Sequence, residues 1–188
     1  AYHNAYTSDL SMCYVADCAD FEWERIFELQ RVAICQPKFN QSELDAEKGN
    51  VKSELTGYLN NHNRVLWPKM QQLLGEDVYT YWQRLQTIPN VTLSDIREHH
   101  TRTHTTDNMC FVIAGKLQGR KTKILEALDQ WELPRGERFA VPHDTLSKGN
   151  PTLIRRKEAS NLTFGLSLIV PRELTDEESD AMDCLNHL

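Results

Sequence analysis

Two glutamates, Glu47 and Glu54, lie seven residues apart in Glu47-Lys48-Gly49-Asn50-Val51-Lys52-Ser53-Glu54. On a helix that spacing is about two turns, so both carboxylates project from one face, about 10 Å apart. One could ligate a metal while the other orients the site from behind it. A solvated acidic face has the same pattern, and spacing alone does not separate the two. A second cluster is Glu98-His99-His100-Thr101-Arg102-Thr103-His104, in which His100 and His104 have the i, i+4 spacing of a two-histidine zinc site. The position after His100 that such a motif gives to a glutamate is Thr101, and histidines at a helix end complement its dipole without any metal. Gly115-Lys116-Leu117-Gln118-Gly119-Arg120-Lys121-Thr122 echoes a phosphate-binding loop but lacks its spacing. Cys110, inside the apolar run Met109-Cys110-Phe111-Val112, is expected to be buried in a strand without a base, as a structural thiol.

These residues need elements to position them. Residues 9–16 alternate, with Leu10, Met12, Tyr14 and Ala16 on one face, which predicts a half-buried strand. Asp20 is a candidate N-cap for a helix through Cys35 that Pro37 stops. Ser42 with Asp45 suggests the cap of the helix carrying both glutamates. A break follows at Asn60-Asn61-His62-Asn63, with Pro68 after it and a helical pattern resuming at Met70–Leu74. Further helices are predicted over Tyr79–Leu85, from Thr92 or Ser94 to His104, over Lys121–Trp131, and from a Thr175/Glu178 cap onward. Asn108–Gly115 predicts the clearest strand, with others at Thr152–Ile154 and Leu162–Val170. Helices cluster in runs between strands, which favours the α+β class over an alternating parallel sheet.

The 188 residues are 40% hydrophobic and 26% charged, a globular balance that excludes disordered, collagen-like and coiled-coil classes. No apolar run reaches the length of a membrane-spanning helix. The net charge of −6 argues against nucleic-acid or anionic-membrane partners. Five cysteines cannot all pair within the chain, and buried free thiols in a reducing compartment are expected. The expected location is cytoplasmic, with an organelle matrix or the periplasm as alternatives. Sequons at Asn40, Asn90 and Asn161 carry little weight without a secretory signal. The chain opens at Ala1 without methionine and stops within a helical pattern, so it reads as a piece of a larger protein.

Several segments, in order, resemble one family. His3-Asn4-Ala5-Tyr6-Thr7 resembles the H-N-A-x-T strand of the M16 metallopeptidases, the group of pitrilysin, insulin-degrading enzyme and mitochondrial processing peptidase. Glu47-x3-Val51-x2-Glu54-Leu55 is similar to that family's E-x3-V-x2-E helix, and Leu93–Arg97 through Asn108-Met109 to Gly115 to its helix, N-M, strand, glycine unit. The resemblance covers about residues 1–117 and continues weakly into 152–188. It implies an incomplete M16 (LuxS/MPP-like) metallohydrolase domain over 1–132, an antiparallel sheet with helices packed on one face. A linker over 133–150 and the start of a second such domain over 151–188 would follow.

In that family zinc is held by the histidines of H-x-x-E-H and a downstream glutamate. By position Glu54 is the implied metal ligand and Glu47 the carboxylate that orients the site. Asn4, Ala5 and Tyr6 would lie on the edge strand that pairs with a peptide substrate. The implied partners are that peptide and the remaining half of the protein or a homologous subunit. Self-association through exposed edges is expected too. No H-x-x-E-H occurs in the 188 residues. The chain by itself is therefore expected to be inactive and metal-free, the parent a zinc endopeptidase. The alternative is a non-catalytic, scaffolding M16-like subunit.

Overall fold

The computed structural model describes residues 1–8, 10–140, 149–157, 160–167, 170, 172 and 174–186. The chain forms two compact units, Ala1–Thr56 with Gln83–His143 and Gly57–Trp82 with Asp144–Leu188.

The first unit opens with an antiparallel hairpin of β1, Tyr2–Thr7, and β2, Met12–Asp17, paired from Tyr2↔Asp17 to Thr7↔Met12. Serines hold its turn: the Ser8 N–H donates to the Ser11 carbonyl at 2.8 Å, and the two hydroxyls meet at 2.8 Å. β1 is exposed along its whole length. The predicted apolar face of the next strand is not realised, since Leu10 and Met12 are exposed. Half-burial covers Cys13 to Ala16 on both faces instead, because β2 lies beside β1 and leans on α1.

A 3₁₀ turn at Asp20–Glu22 leads into α1, Trp23–Cys35. Asp20 is not its cap: that carboxylate takes both guanidinium nitrogens of Arg120, 100 residues away, and the helix starts without a side-chain cap. The apolar stripe of α1 places Trp23 and Phe27 four residues apart, and Phe27 meets Trp131 at a ring separation of 5.2 Å. Phe111 also packs edge-on against Trp131, at 4.7 Å. Trp131, Ile34, Leu55 and Ile124 form the core of this unit, with Ile124 supplied by α6, Lys121–Asp129.

Helix α2 runs over Gln41–Leu59. Asn40 caps it in place of Ser42, its side-chain oxygen accepting from the Glu43 N–H at 2.8 Å, while the Ser42 hydroxyl donates to the same oxygen. Helix α3, His62–Leu73, starts at once on an Asn61 cap and contains Pro68, buried, rather than beginning beyond it. Helix α4, Tyr81–Thr87, gives way to a 3₁₀ turn over Ile88–Asn90 at Pro89. Helix α5, Leu93–Thr103, has a complete capping box: Thr92 accepts from the Asp95 N–H at 3.2 Å and Asp95 accepts from the Thr92 N–H at 2.7 Å. Helix α7, Asp176–Asn186, repeats the device with Thr175 and Glu178, as the sequence predicts. Arg172 grips the same carboxylate with two bonds of 2.7 Å and holds Glu178 down to about 2.

Three predicted strands differ. Residues 109–114 join no ladder among the described residues, although Met109 is extended; Val112 is 87% exposed and Phe111 is turned to Trp131. Thr152–Ile154 and residues 162–167 are likewise irregular, with Leu162, Phe164 and Leu166 exposed, and residues 168–169 lie outside the described residues. An apolar run needs a neighbouring strand to become one, and among the described residues none lies beside these. Within the 133–150 segment, 141–148 lie outside the described residues and the rest has no regular structure. All five cysteines are free, yet none is buried, Cys110 included, which corrects the expectation of core thiols. Helices with a two-stranded antiparallel sheet make the α+β class.

Candidate functional site

Helix α2 presents Glu47 and Glu54 to solvent, while Leu55, next to Glu54, turns into the core. A straight helix fixes the pair about two turns apart, as its spacing predicts. Among the described residues, no group of three or more His, Cys, Asp and Glu side chains is placed to hold a metal ion. Two carboxylates do not fit a zinc site, which takes three protein ligands plus an open position when catalytic.

Asn4, Ala5 and Tyr6 occupy the middle and end of β1, opposite Val15, Tyr14 and Cys13. The Ala5 N–H donates to the side-chain oxygen of Asn4 at 2.9 Å, and the Asn4 amide donates to the Tyr2 hydroxyl at 2.9 Å. Asn4 thus ties down the strand's own backbone through its side chain. The Cys13 thiol opposite Tyr6 pushes the phenol's pKa up.

The histidine cluster is put to a different use from the carboxylates. His100 Nε2 contacts the Ile34 carbonyl of α1 at 2.9 Å, and His104 Nε2 contacts the Tyr14 hydroxyl of β2 at 2.8 Å. His104 is 8% exposed. Burial, reinforced by the neighbouring His100, pushes its pKa below the ordinary histidine value. With these ring nitrogens committed to the chain, the i, i+4 pair serves packing. The glycine loop at 115–122 is similarly engaged, since Arg120 is held by Asp20 and α6 begins without a side-chain cap.

Sequence reasoning missed Tyr14 as the partner of His104 and Asp20 as the partner of Arg120. These pairs are 90 and 100 residues apart, so no local spacing could reveal them.

Residues 1–79 match the family model described as Insulinase (Peptidase family M16). No curated protein and no solved structure matches the chain. The matched stretch contains the β1–β2 hairpin, α1, both glutamates of α2, and α3. Over residues 1–79, therefore, this chain is similar to the M16 peptidase family.

Proposed function

We propose that the chain is part of a zinc-dependent endopeptidase acting on peptides or presequences, with the LuxS/MPP-like fold of its family. The observation carrying this reading is the M16 match across the segment that holds both Asn4–Tyr6 and Glu47–Glu54. In it Glu54 is the chain's contribution to a zinc centre whose remaining ligands come from elsewhere in the parent, and Glu47 orients that centre. An exposed carboxylate on a rigid helix suits a ligand shared in this way. β1, exposed and on the outside of a two-stranded sheet, suits backbone pairing with an extended peptide. The division into a peptidase-like domain over 1–132, a linker over 133–150 and a second domain from 151 belongs to the same reading. So do a partner half or homologous subunit, self-association of the isolated chain through open edges, and a cytoplasmic location. Among the described residues no helix is long and apolar enough to cross a membrane. On this reading Glu54 by itself supplies too few donors for a catalytic zinc, and the isolated chain is inactive.

The test is Glu54→Gln in the full parent protein, read by zinc stoichiometry and peptide cleavage. Both should be lost, because an anionic ligand is removed. Glu47→Gln should keep most of the zinc and lose roughly 10–100-fold in activity. Unchanged zinc in the Glu54 variant removes the ligand assignment, and a parent that binds no zinc is a scaffolding subunit instead.

A further inference from the structure

Four rings stand in file within the first unit: Phe39, His100, His104 and Tyr14, with centroids 5.3, 4.0 and 5.9 Å apart in turn. The two imidazoles are stacked at an interplanar angle of 20°. Counting hydrogens fixes the state of the inner one. The Thr103 hydroxyl lies 2.7 Å from the His99 carbonyl, which can only accept, so its single hydrogen goes there. Its 3.0 Å contact with His104 Nδ1 must then be an N–H donated by the ring. A neutral imidazole with its hydrogen on Nδ1 has a bare Nε2, and that atom accepts from the Tyr14 hydroxyl at 2.8 Å. Tyr14 can serve as this donor because burial pushes its pKa up and keeps the phenol protonated. His100 donates from Nε2 to the Ile34 carbonyl, so the stack fastens β2 and α1 to the end of α5.

We propose that His104 is an acid-sensitive clasp: neutral, with its hydrogen on Nδ1, it ties the β1–β2 hairpin to α5, and a proton taken up at Nε2 releases that hairpin. The added hydrogen points at the Tyr14 hydroxyl, which must turn its own hydrogen away. It also places a positive charge at a buried position stacked on His100. Among the described residues, the ionisable groups that act on the ring offer no counter-charge. His100 and His99 on the preceding helix both oppose protonation electrostatically, Tyr14 on β2 is neutral, and the pKa of half-buried Cys35, beside Ile34 on α1, is pushed up by desolvation. The segment that covers Thr105, through the bond from the Thr106 N–H to the Pro134 carbonyl, carries Arg135 and Glu137, both exposed. Among the described residues the hairpin is also tied by its contacts with α1, so release is local.

The sign follows from linkage. With the folded-state pKa below the ordinary value of about 6.5, the clasp contributes fully above that pH and is lost as the pH falls beneath it. The hairpin's opening constant should rise by up to about tenfold per pH unit in that window. If β1 is the peptide-pairing edge, acid loosens it; that consequence rests on the function proposed above, and the clasp does not.

The experiment follows the 188-residue chain from about pH 8 to pH 5 by imidazole ¹⁵N spectra and by amide hydrogen exchange over residues 2–17, corrected for intrinsic exchange. The expected result is His104 protonated on Nδ1 with Nε2 bare at high pH, and hairpin exchange that accelerates as the ring titrates. In His104→Gln an uncharged amide takes the place of the ring and does not titrate, so the acceleration should vanish. An Nε2–H tautomer at neutral pH, or an acid response that survives in His104→Gln, overturns the clasp. The spectra of the unaltered chain decide even where the variant does not fold, and peptide binding enters neither readout.

Discussion

Helix α2 carries Glu47 and Glu54 about two turns apart on a face open to solvent, and helix α5 carries His100 and His104 one turn apart with the second ring closed in. The histidines have the i, i+4 spacing of two metal ligands, and the glutamates, two turns apart, that of one ligand with a carboxylate orienting the site. The imidazoles are held by Ile34, Tyr14 and Thr103, partners from two other elements and from α5 itself. The carboxylates keep their exposure on a helix whose core contacts are made by other residues, Leu55 and Leu59 among them. Burial therefore ties a side chain to the fold, while an exposed one contributes less to its stability. On that division the α5 pair should weigh more on whether the first unit holds together than the exposed α2 pair does.

The contrast breaks most visibly at His104. His104→Ala removes a buried ring, leaves the Tyr14 hydroxyl without its acceptor and opens a cavity beside His100. It should cost roughly 2–4 kcal/mol in denaturant unfolding. A loss under about 0.5 kcal/mol would mean that the ring is as dispensable as a surface residue. Next comes the helix that carries the pair. Thr92→Ala removes the hydroxyl half of the α5 capping box and should cost about 1 kcal/mol, with Thr92→Ser retaining most of it. Equal losses in both variants would show that the methyl group matters rather than the hydroxyl.

What was legible in the sequence follows the range of the forces. Capping boxes act over three residues, and those at Thr92 and at Thr175 with Glu178 are found where the pattern puts them, as is the helix bearing Glu47 and Glu54. At Asn40 the local rule was ambiguous, since Asn40 and Ser42 both can cap and the amide oxygen sits where the Glu43 N–H points. Strands are a matter of pairing. Residues 109–114 and 162–167 have the composition of strands, yet composition cannot tell whether another strand lies alongside. The ring stack was illegible because Tyr14, Ile34 and His104 meet only through tertiary packing. The i, i+4 histidines signalled a cluster without saying what it joins.

The smallest expected effect is the sharpest check on the division. Glu47→Gln and Glu54→Gln keep shape and helix propensity while removing charge from an exposed face. Each should change the unfolding free energy of the 188-residue chain by about 0.5 kcal/mol or less. Glu54 lies beside buried Leu55, so it is the more demanding of the two: a neighbour this close to the core would transmit any structural role into the folding free energy. If Glu54→Gln proves as costly as Thr92→Ala, the carboxylate holds the fold, and the exposed pair on α2 is no more available to a ligand than the histidines of α5. If both substitutions are silent in folding, any effect they have in the parent arises at the site itself and not through a damaged scaffold.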